Sequence, residues 1–221
     1  MADYKNIVSF IKAREGGLSS ATTDTASRNP SNCGNGKNGK PYHTNKGVTW
    51  LTFSSLASKL GYSATCANFM KMPDTIWMTI YRHSFWNPMM GDKIKNQAIA
   101  NVFVEMAWGS GVGGATNALK KFFTSTYNKK LSSVSEMVDY VNQLDSEGKT
   151  PELFEKINNY RKWFYKSLNQ PSNLTGWLNR LNAFYLLNKP YAMSTTNKVV
   201  FTIGLILGII GIVYIYKKLK K

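Results

Sequence analysis

Apolar residues near the start of the chain recur at helical spacing, with Ile7, Val8, Phe10 and Ile11 on one face, and predict a helix over Tyr4 to Arg14. The pattern stops at Glu15-Gly16-Gly17, where two glycines end the helix and leave the glutamate at its last turn. From Leu18 to His43 the chain is rich in Ser, Thr, Asn and Gly, including CGNGKNGKPY, and reads as a long irregular excursion or a small hairpin. A loop of that length in a compact domain usually serves a function. Helical spacing returns over Trp50–Leu60, Pro73–Phe85, Lys93–Gly109, Gly114–Phe123, Val134–Leu144, Pro151–Leu168 and Leu174–Asn188. The strand signal is thin throughout, so the expected fold is mainly α, with at most one short hairpin within residues 18–48.

The pattern changes at the C-terminus. Residues 199–216 read VVFTIGLILGIIGIVYIY, an uncharged run whose helix would be roughly 27 Å long, close to the roughly 30 Å of a bilayer core. Tyr214 and Tyr216 stand where interfacial aromatics belong, with Lys217, Lys218, Lys220 and Lys221 beyond them. The expectation is a single-pass membrane protein with a lipid-embedded anchor at 199–216, a polar hinge at 191–198 and a basic tail at 217–221. Gly204, Gly208 and Gly211 share one face of that run, a surface on which spans can self-associate. The N-terminus has no apolar stretch of signal-peptide length and carries Asp3.

Composition sharpens this outline. Eleven Phe and six Trp in 221 residues exclude a disordered chain, and 17 Gly with 7 Pro exclude a collagenous one. The formal charge of +16 suits contact with an anionic polymer, although the lysines are dispersed and no nucleic-acid module is present, so no nucleic-acid partner is expected. Two cysteines are too few for a disulfide scaffold. Cys33 and Cys66 form one possible bridge between the excursion and the helical body. Neither His43 nor His83 has a partner at metal-ligand spacing, so neither a metal nor another cofactor is expected.

A glutamate at a helix end is ordinarily just solvated, but Glu15 is followed by Asp24 and then by His43-Thr44-Asn45-Lys46-Gly47-Val48-Thr49, which opens another helix. This succession resembles the pattern of glycoside hydrolase family 108, a Glu-Gly-Gly followed by a Thr-Asn-x-Gly-[Ile/Val]-Thr stretch, found in phage and bacterial muramidases. The resemblance continues through Tyr81 to Gly111, with its Trp86, Pro88 and Asp92, and closes on Gly176-Trp177-Leu178-Asn179-Arg180.

The resemblance implies a lysozyme-like helical region over 1–110 and a helical, peptidoglycan-binding-like region over 111–190. It implies an N-acetylmuramidase acting on peptidoglycan glycan strands, cutting the β-1,4 bond between N-acetylmuramic acid and N-acetylglucosamine. Glu15 matches the catalytic glutamate, which must deliver a proton to the glycosidic oxygen as the C–O bond breaks. Asp24 and Thr44 resemble the aspartate and threonine that accompany it in phage-type lysozymes, where they stabilise the sugar cation and hold the attacking water. Their separation here is wider than in that pattern, so Asp24 is either a partner across a looped-out insertion or a turn residue of TTDT. Thr44 and Asn45 also fit an N-cap ahead of the next helix.

His43, Asn45, Trp50 and Trp108 are the candidate substrate-binding residues, the tryptophans because apolar sugar faces pack on indole. Glu105 and Trp108 stand where the family often has an aspartate and an asparagine. With an anchor, the enzyme would sit on a virion's internal membrane or the host inner membrane and open the wall for a phage. The alternatives are a lytic transglycosylase and a non-catalytic wall-binding virion protein.

Overall fold

The computed structural model describes residues 1–36 and 39–193, apart from the side chain of Thr25. The fold is mainly helical, with eight α-helices among the described residues: α1 (Lys5–Lys12), α2 (Trp50–Ala57), α3 (Cys66–Met70), α4 (Asp74–Tyr81), α5 (Gln97–Tyr127), α6 (Val134–Ser146), α7 (Thr150–Ser167) and α8 (Pro171–Ala192). Three two-residue strands, β1 (Leu18–Ser19), β2 (Thr44–Asn45) and β3 (Val48–Thr49), form an antiparallel sheet in that order. The expected hairpin is thus β2–β3, joined by a third strand, Leu18–Ser19, whose two residues are too few to show a period.

The chain divides into two compact units. Among the described residues, one comprises Asp3–Asp92 with Phe103–Ala115, and the other Met1–Ala2, Lys93–Val102 and 116–193. In the first, α1 buries Ile7, Val8, Phe10 and Ile11, the face its spacing predicts. Thr49 caps α2 by accepting from Thr52 N–H, and Thr65 caps α3 by accepting from Asn68 N–H. α4 runs into one wide π-helical turn, Arg82–Trp86, closed by Asn87 N–H donating to Arg82 O. Cys33, antiparallel to Tyr42 in an isolated bridge, is disulfide-bonded to Cys66 at the start of α3.

The second unit is built on longer helices. Asn96 caps α5 by accepting from Ala98 and Ile99 N–H, and Ser133 caps α6 by accepting from Glu136 N–H. α7 and α8 bury Leu153, Phe154, Ile157, Leu181 and Phe184, and the rings of Phe154 and Tyr185 stack with centroids 5.6 Å apart. The two helices expected over Lys93–Gly109 and Gly114–Phe123 are one run, interrupted at Gly111 with φ 73° and ψ 160°. That left-handed extended conformation is open to glycine alone at little cost, so the interruption that the glycine-rich stretch predicts is a local break rather than a loop.

The expected single-pass membrane localisation is corrected: among the described residues no helix is long and apolar enough to cross a membrane. The long helices are too polar, α5 carrying Glu105, Lys120 and Lys121 and α7 carrying Glu152, Glu155, Lys156, Arg161, Lys162 and Lys166. Of the hinge expected at 191–198, Tyr191 and Ala192 complete the last turn of α8. The segment 199–216, the tail 217–221 and the glycines Gly204, Gly208 and Gly211 lie outside the described residues.

Candidate active site

Glu15 stands in the turn just after α1, where its N–H donates to Lys12 O at 3.2 Å. Its side chain is half-buried, and its Oε1 accepts a hydrogen bond of 2.7 Å from the Trp108 indole N–H. Trp108, itself half-buried on α5, is fixed by its neighbours: its ring lies 5.4 Å from Trp77, 5.8 Å from Tyr81 and 4.8 Å from Phe85, centroid to centroid. Trp77 and Tyr81 stack in parallel on successive turns of α4, and Phe85 belongs to the π-helical turn. The rotamer of the indole is therefore set by packing, and its N–H direction with it.

The same aromatic group anchors the β2–β3 turn. Asn45 pairs with Val48, so Lys46 and Gly47 are the two central residues, with φ 48° and 77°. Positive φ at both marks a type I′ turn. Lys46 O accepts from the Trp77 indole N–H at 2.8 Å, and Lys46 Nζ donates to Met72 O at 3.0 Å. Gly47 then lies directly against the glutamate: a Cβ there would stand 2.5 Å from Glu15 Oε2 and 2.6 Å from Trp108 Cζ2. Two indole N–H groups thus set one carboxylate against one glycine.

Asp74 closes this side of the unit. It accepts from Lys46 Nζ at 3.1 Å and from Lys12 Nζ, joining α1 and the turn to the first turn of α4. Hydrogen bonding from Lys12, and next from Lys46, holds its carboxyl below the usual carboxylate range.

On the other side of β2, His43 is buried, with 1% exposure. Its Nδ1 lies 2.8 Å from Thr44 Oγ1 and its Nε2 3.1 Å from Ala21 O. Asp24 Oδ2 is 3.9 Å from the same Nδ1, while Asp24 Oδ1 accepts from Ala26 N–H and caps a short 3-10 turn. The structure therefore gathers Asp24, His43 and Thr44 into one group. Asp24 caps a turn, as one of the two readings has it, and its other carboxylate oxygen faces the histidine.

Asn45 and Trp50 face inward. The Asn45 amide donates to Phe69 O at 2.6 Å and to Met70 O at 3.2 Å, which ties β2 to the end of α3. Trp50 is 9% exposed and packs on Phe53 and Phe69. Neither side chain, nor that of His43, lines an open surface. Sequence reasoning did not anticipate Gly47 or Trp77, although Lys46-Gly47 between two short β-compatible pairs is a hairpin-turn signal. Among the described residues no group of three His, Cys, Asp or Glu is placed to hold a metal ion.

The Glu15 carboxyl is thus held in one orientation just beyond the end of α1. Residues 8–111 match the model of the family described as Glycosyl hydrolase 108, which supports glycoside hydrolase activity, and every residue of the site just described falls within the matched span. Among solved structures, the chain is similar to that of Brucella abortus SagA, at 17% identity and a TM-score of 0.59, covering 87% of this chain and 97% of that one. At that identity the likeness is one of fold. A comparison with curated proteins finds no match. Neither similarity bears on phage origin or a virion.

Proposed function

We propose that the protein is a peptidoglycan N-acetylmuramidase in which Glu15 is the general acid for cleavage of the β-1,4 bond between N-acetylmuramic acid and N-acetylglucosamine. The observation that carries this reading is the hydrogen bond from Trp108 to Glu15 Oε1 beneath Gly47. The indole N–H makes Oε1 the accepting oxygen, so that the proton belongs on Oε2, the oxygen next to the residue without a side chain. As the glycosidic C–O bond breaks, that proton passes to the departing oxygen and the charge left on Glu15 keeps its indole donor. Asp24, at the head of its short 3-10 turn, and Thr44 on β2 are the candidates to stabilise the sugar cation and to hold the attacking water. His43, at 1% exposure, supports them from behind rather than meeting substrate.

The test is to incubate the full chain and its Glu15→Gln variant with purified peptidoglycan and weigh the released muropeptides. Products with a reducible muramic acid end from the parent, reduced at least about a hundredfold in the variant, are expected. Products with 1,6-anhydro ends would replace the muramidase by a lytic transglycosylase with the same acid. No release by the parent, with binding to peptidoglycan retained, would replace both by a wall-binding protein.

A further inference from the structure

We infer that His43 is a positioning residue that turns the Thr44 hydroxyl into a pure hydrogen-bond acceptor toward the catalytic space. The inference rests on the muramidase reading and deepens it. A backbone carbonyl can only accept, so the 3.1 Å contact between Nε2 and Ala21 O requires the proton to be on Nε2. In the neutral ring Nδ1 then carries a lone pair, and the 2.8 Å contact with Thr44 Oγ1 is made by the threonine hydroxyl donating to it. Thr44 has one hydroxyl hydrogen, and His43 takes it. What Oγ1 has left to offer is lone pairs, so a water bound there must donate a hydrogen to it.

That restriction fits the reaction. A water that donates to Thr44 keeps an oxygen lone pair directed away from the protein, as attack on an anomeric carbon needs. A threonine whose hydroxyl hydrogen pointed at the water would hold the water the other way round. The ring is locked from every side on which the structure shows a partner. Its backbone N–H donates to Ser19 O at 3.0 Å, its carbonyl accepts from Trp50 N–H at 2.8 Å, and both ring nitrogens are engaged. Asp24 Oδ2, 3.9 Å from Nδ1, is the charged group the structure places against the imidazole, and at that distance it makes no hydrogen bond that competes with Thr44 Oγ1 at 2.8 Å. Thr44 lies three residues before Gly47 on the same hairpin, so one rigid ribbon sets both the hydroxyl and the contact with Glu15.

The chain has two histidines, so the imidazole nitrogens of the intact protein can be read directly by 15N NMR, with His83→Gln assigning the signals. The expected state of His43 is the Nε2–H form with a hydrogen-bonded Nδ1, whose resonance shifts toward that of a bare lone pair in Thr44→Val. An Nδ1–H form in the parent overturns the inference, whatever the activity.

The kinetic arm uses two variants. His43→Gln retains a partner for Ala21 O and is expected to lower kcat roughly tenfold to a hundredfold at unchanged KM, whereas His43→Asn, with a polar atom near the Nδ1 position, retains most of kcat. In a Thr44→Val background His43→Gln is expected to change nothing further. Independent, multiplying effects of the two substitutions overturn the inference, as does a loss in both histidine variants that follows Tm alone. A parent enzyme with the expected tautomer and no peptidoglycan hydrolysis brings down the muramidase reading and the catalytic purpose of the hydroxyl with it, whereas an active enzyme with the wrong tautomer brings down this inference alone.

Discussion

The ribbon β2–β3 and the helical pair α7–α8 are held by a different balance of forces, and the difference bears on where the proposed chemistry sits. In α7 and α8 the contacts are broad: Phe154 stacks on Tyr185, the Arg161 guanidinium lies 4.9 Å from the Phe184 ring, and Tyr165 meets Trp177 at 5.7 Å. Buried amides there donate within their own helix, Asn158 to Phe154 O and Asn188 to Phe184 O, and one side-chain bond crosses to α5, where Asn101 donates to Asn188 Oδ1 at 2.6 Å. Around the ribbon, side-chain bonds to backbone carbonyls join segments distant in sequence: Asn45 to Phe69 O, Trp77 to Lys46 O, Lys46 to Met72 O and His43 to Ala21 O. A packed helix pair can slide by fractions of an ångström at little cost. A side chain bonded to one particular carbonyl cannot, and a carboxyl that must meet a glycosidic oxygen needs that second kind of support.

The sharpest way to break the comparison is Gly47→Ala. The added Cβ would meet Glu15 Oε2 and Trp108, at a φ of 77° that side chains rarely adopt. Hydrolysis is expected to fall by about a hundredfold or more, since a displacement of about 1 Å is enough for that. Stability should drop by at least about 1–2 kcal/mol, the cost of the left-handed backbone, to which the displaced carboxyl and indole add. An alanine placed at Gly176 on α8, where a Cβ meets nothing within 4 Å, should leave both activity and Tm essentially unchanged. Comparable loss in the two variants would mean that the ribbon is no more exacting than the helix pair.

Next in size is the Cys33–Cys66 bond, which closes a segment of sequence separation 33 and fastens the excursion before β2 to α3. Replacing both cysteines with serine is expected to cost about 3 kcal/mol in denaturant unfolding, with the parent under reducing conditions behaving alike. The loss should be concentrated in hydrogen-exchange protection near Cys33 and Tyr42, with α7 and α8 keeping theirs.

Trp108→Phe separates orientation from sugar stacking. The phenyl ring keeps the apolar contact with Trp77, Tyr81 and Phe85 and removes only the donor to Glu15. A hydrogen bond to a charged group is worth about 1.5–3 kcal/mol, so kcat should fall by roughly tenfold to a hundredfold at unchanged KM. A raised KM with kcat preserved would restore Trp108 to the role of sugar platform.

What the sequence made legible follows the same division. The face of α1 and the runs of α6, α7 and α8 are long enough for apolar period to show, and they stand within a few residues of where the spacing puts them. Strands of two residues have no period to read, so the sheet surfaced only as a possible hairpin. Glu15 was legible because a motif surrounds it. That Trp108 is its donor was not, because the two are 93 positions apart and meet only through folding. Asn45 and Trp50 stood in the right motif for substrate contact, yet their polar and apolar atoms are used to hold α3 against the ribbon.

The smallest effect concerns Asp74, which joins Lys12 and Lys46 at the surface with its own side chain 58% exposed. Hydrogen bonds from Lys12 and then Lys46 depress its carboxyl in the folded protein relative to about 3.9 in an unfolded chain. Its contribution is therefore present above about pH 4 and is lost as pH falls through the depressed value, because the unfolded state then binds the proton more readily. Solvent screening limits the whole clamp to about 1 kcal/mol or less. In Asp74→Asn the Tm should lie slightly below the parent's at pH 6, with the two curves converging as acid removes the charge from the parent. Raising the ionic strength to about 1 M should narrow the gap at pH 6, since the groups are exposed. A gap that persists in acid would show that Asp74 holds α4 as a neutral hydrogen-bond partner, and the lysines would then matter to the ribbon only through Lys46 and its bond to Met72 O.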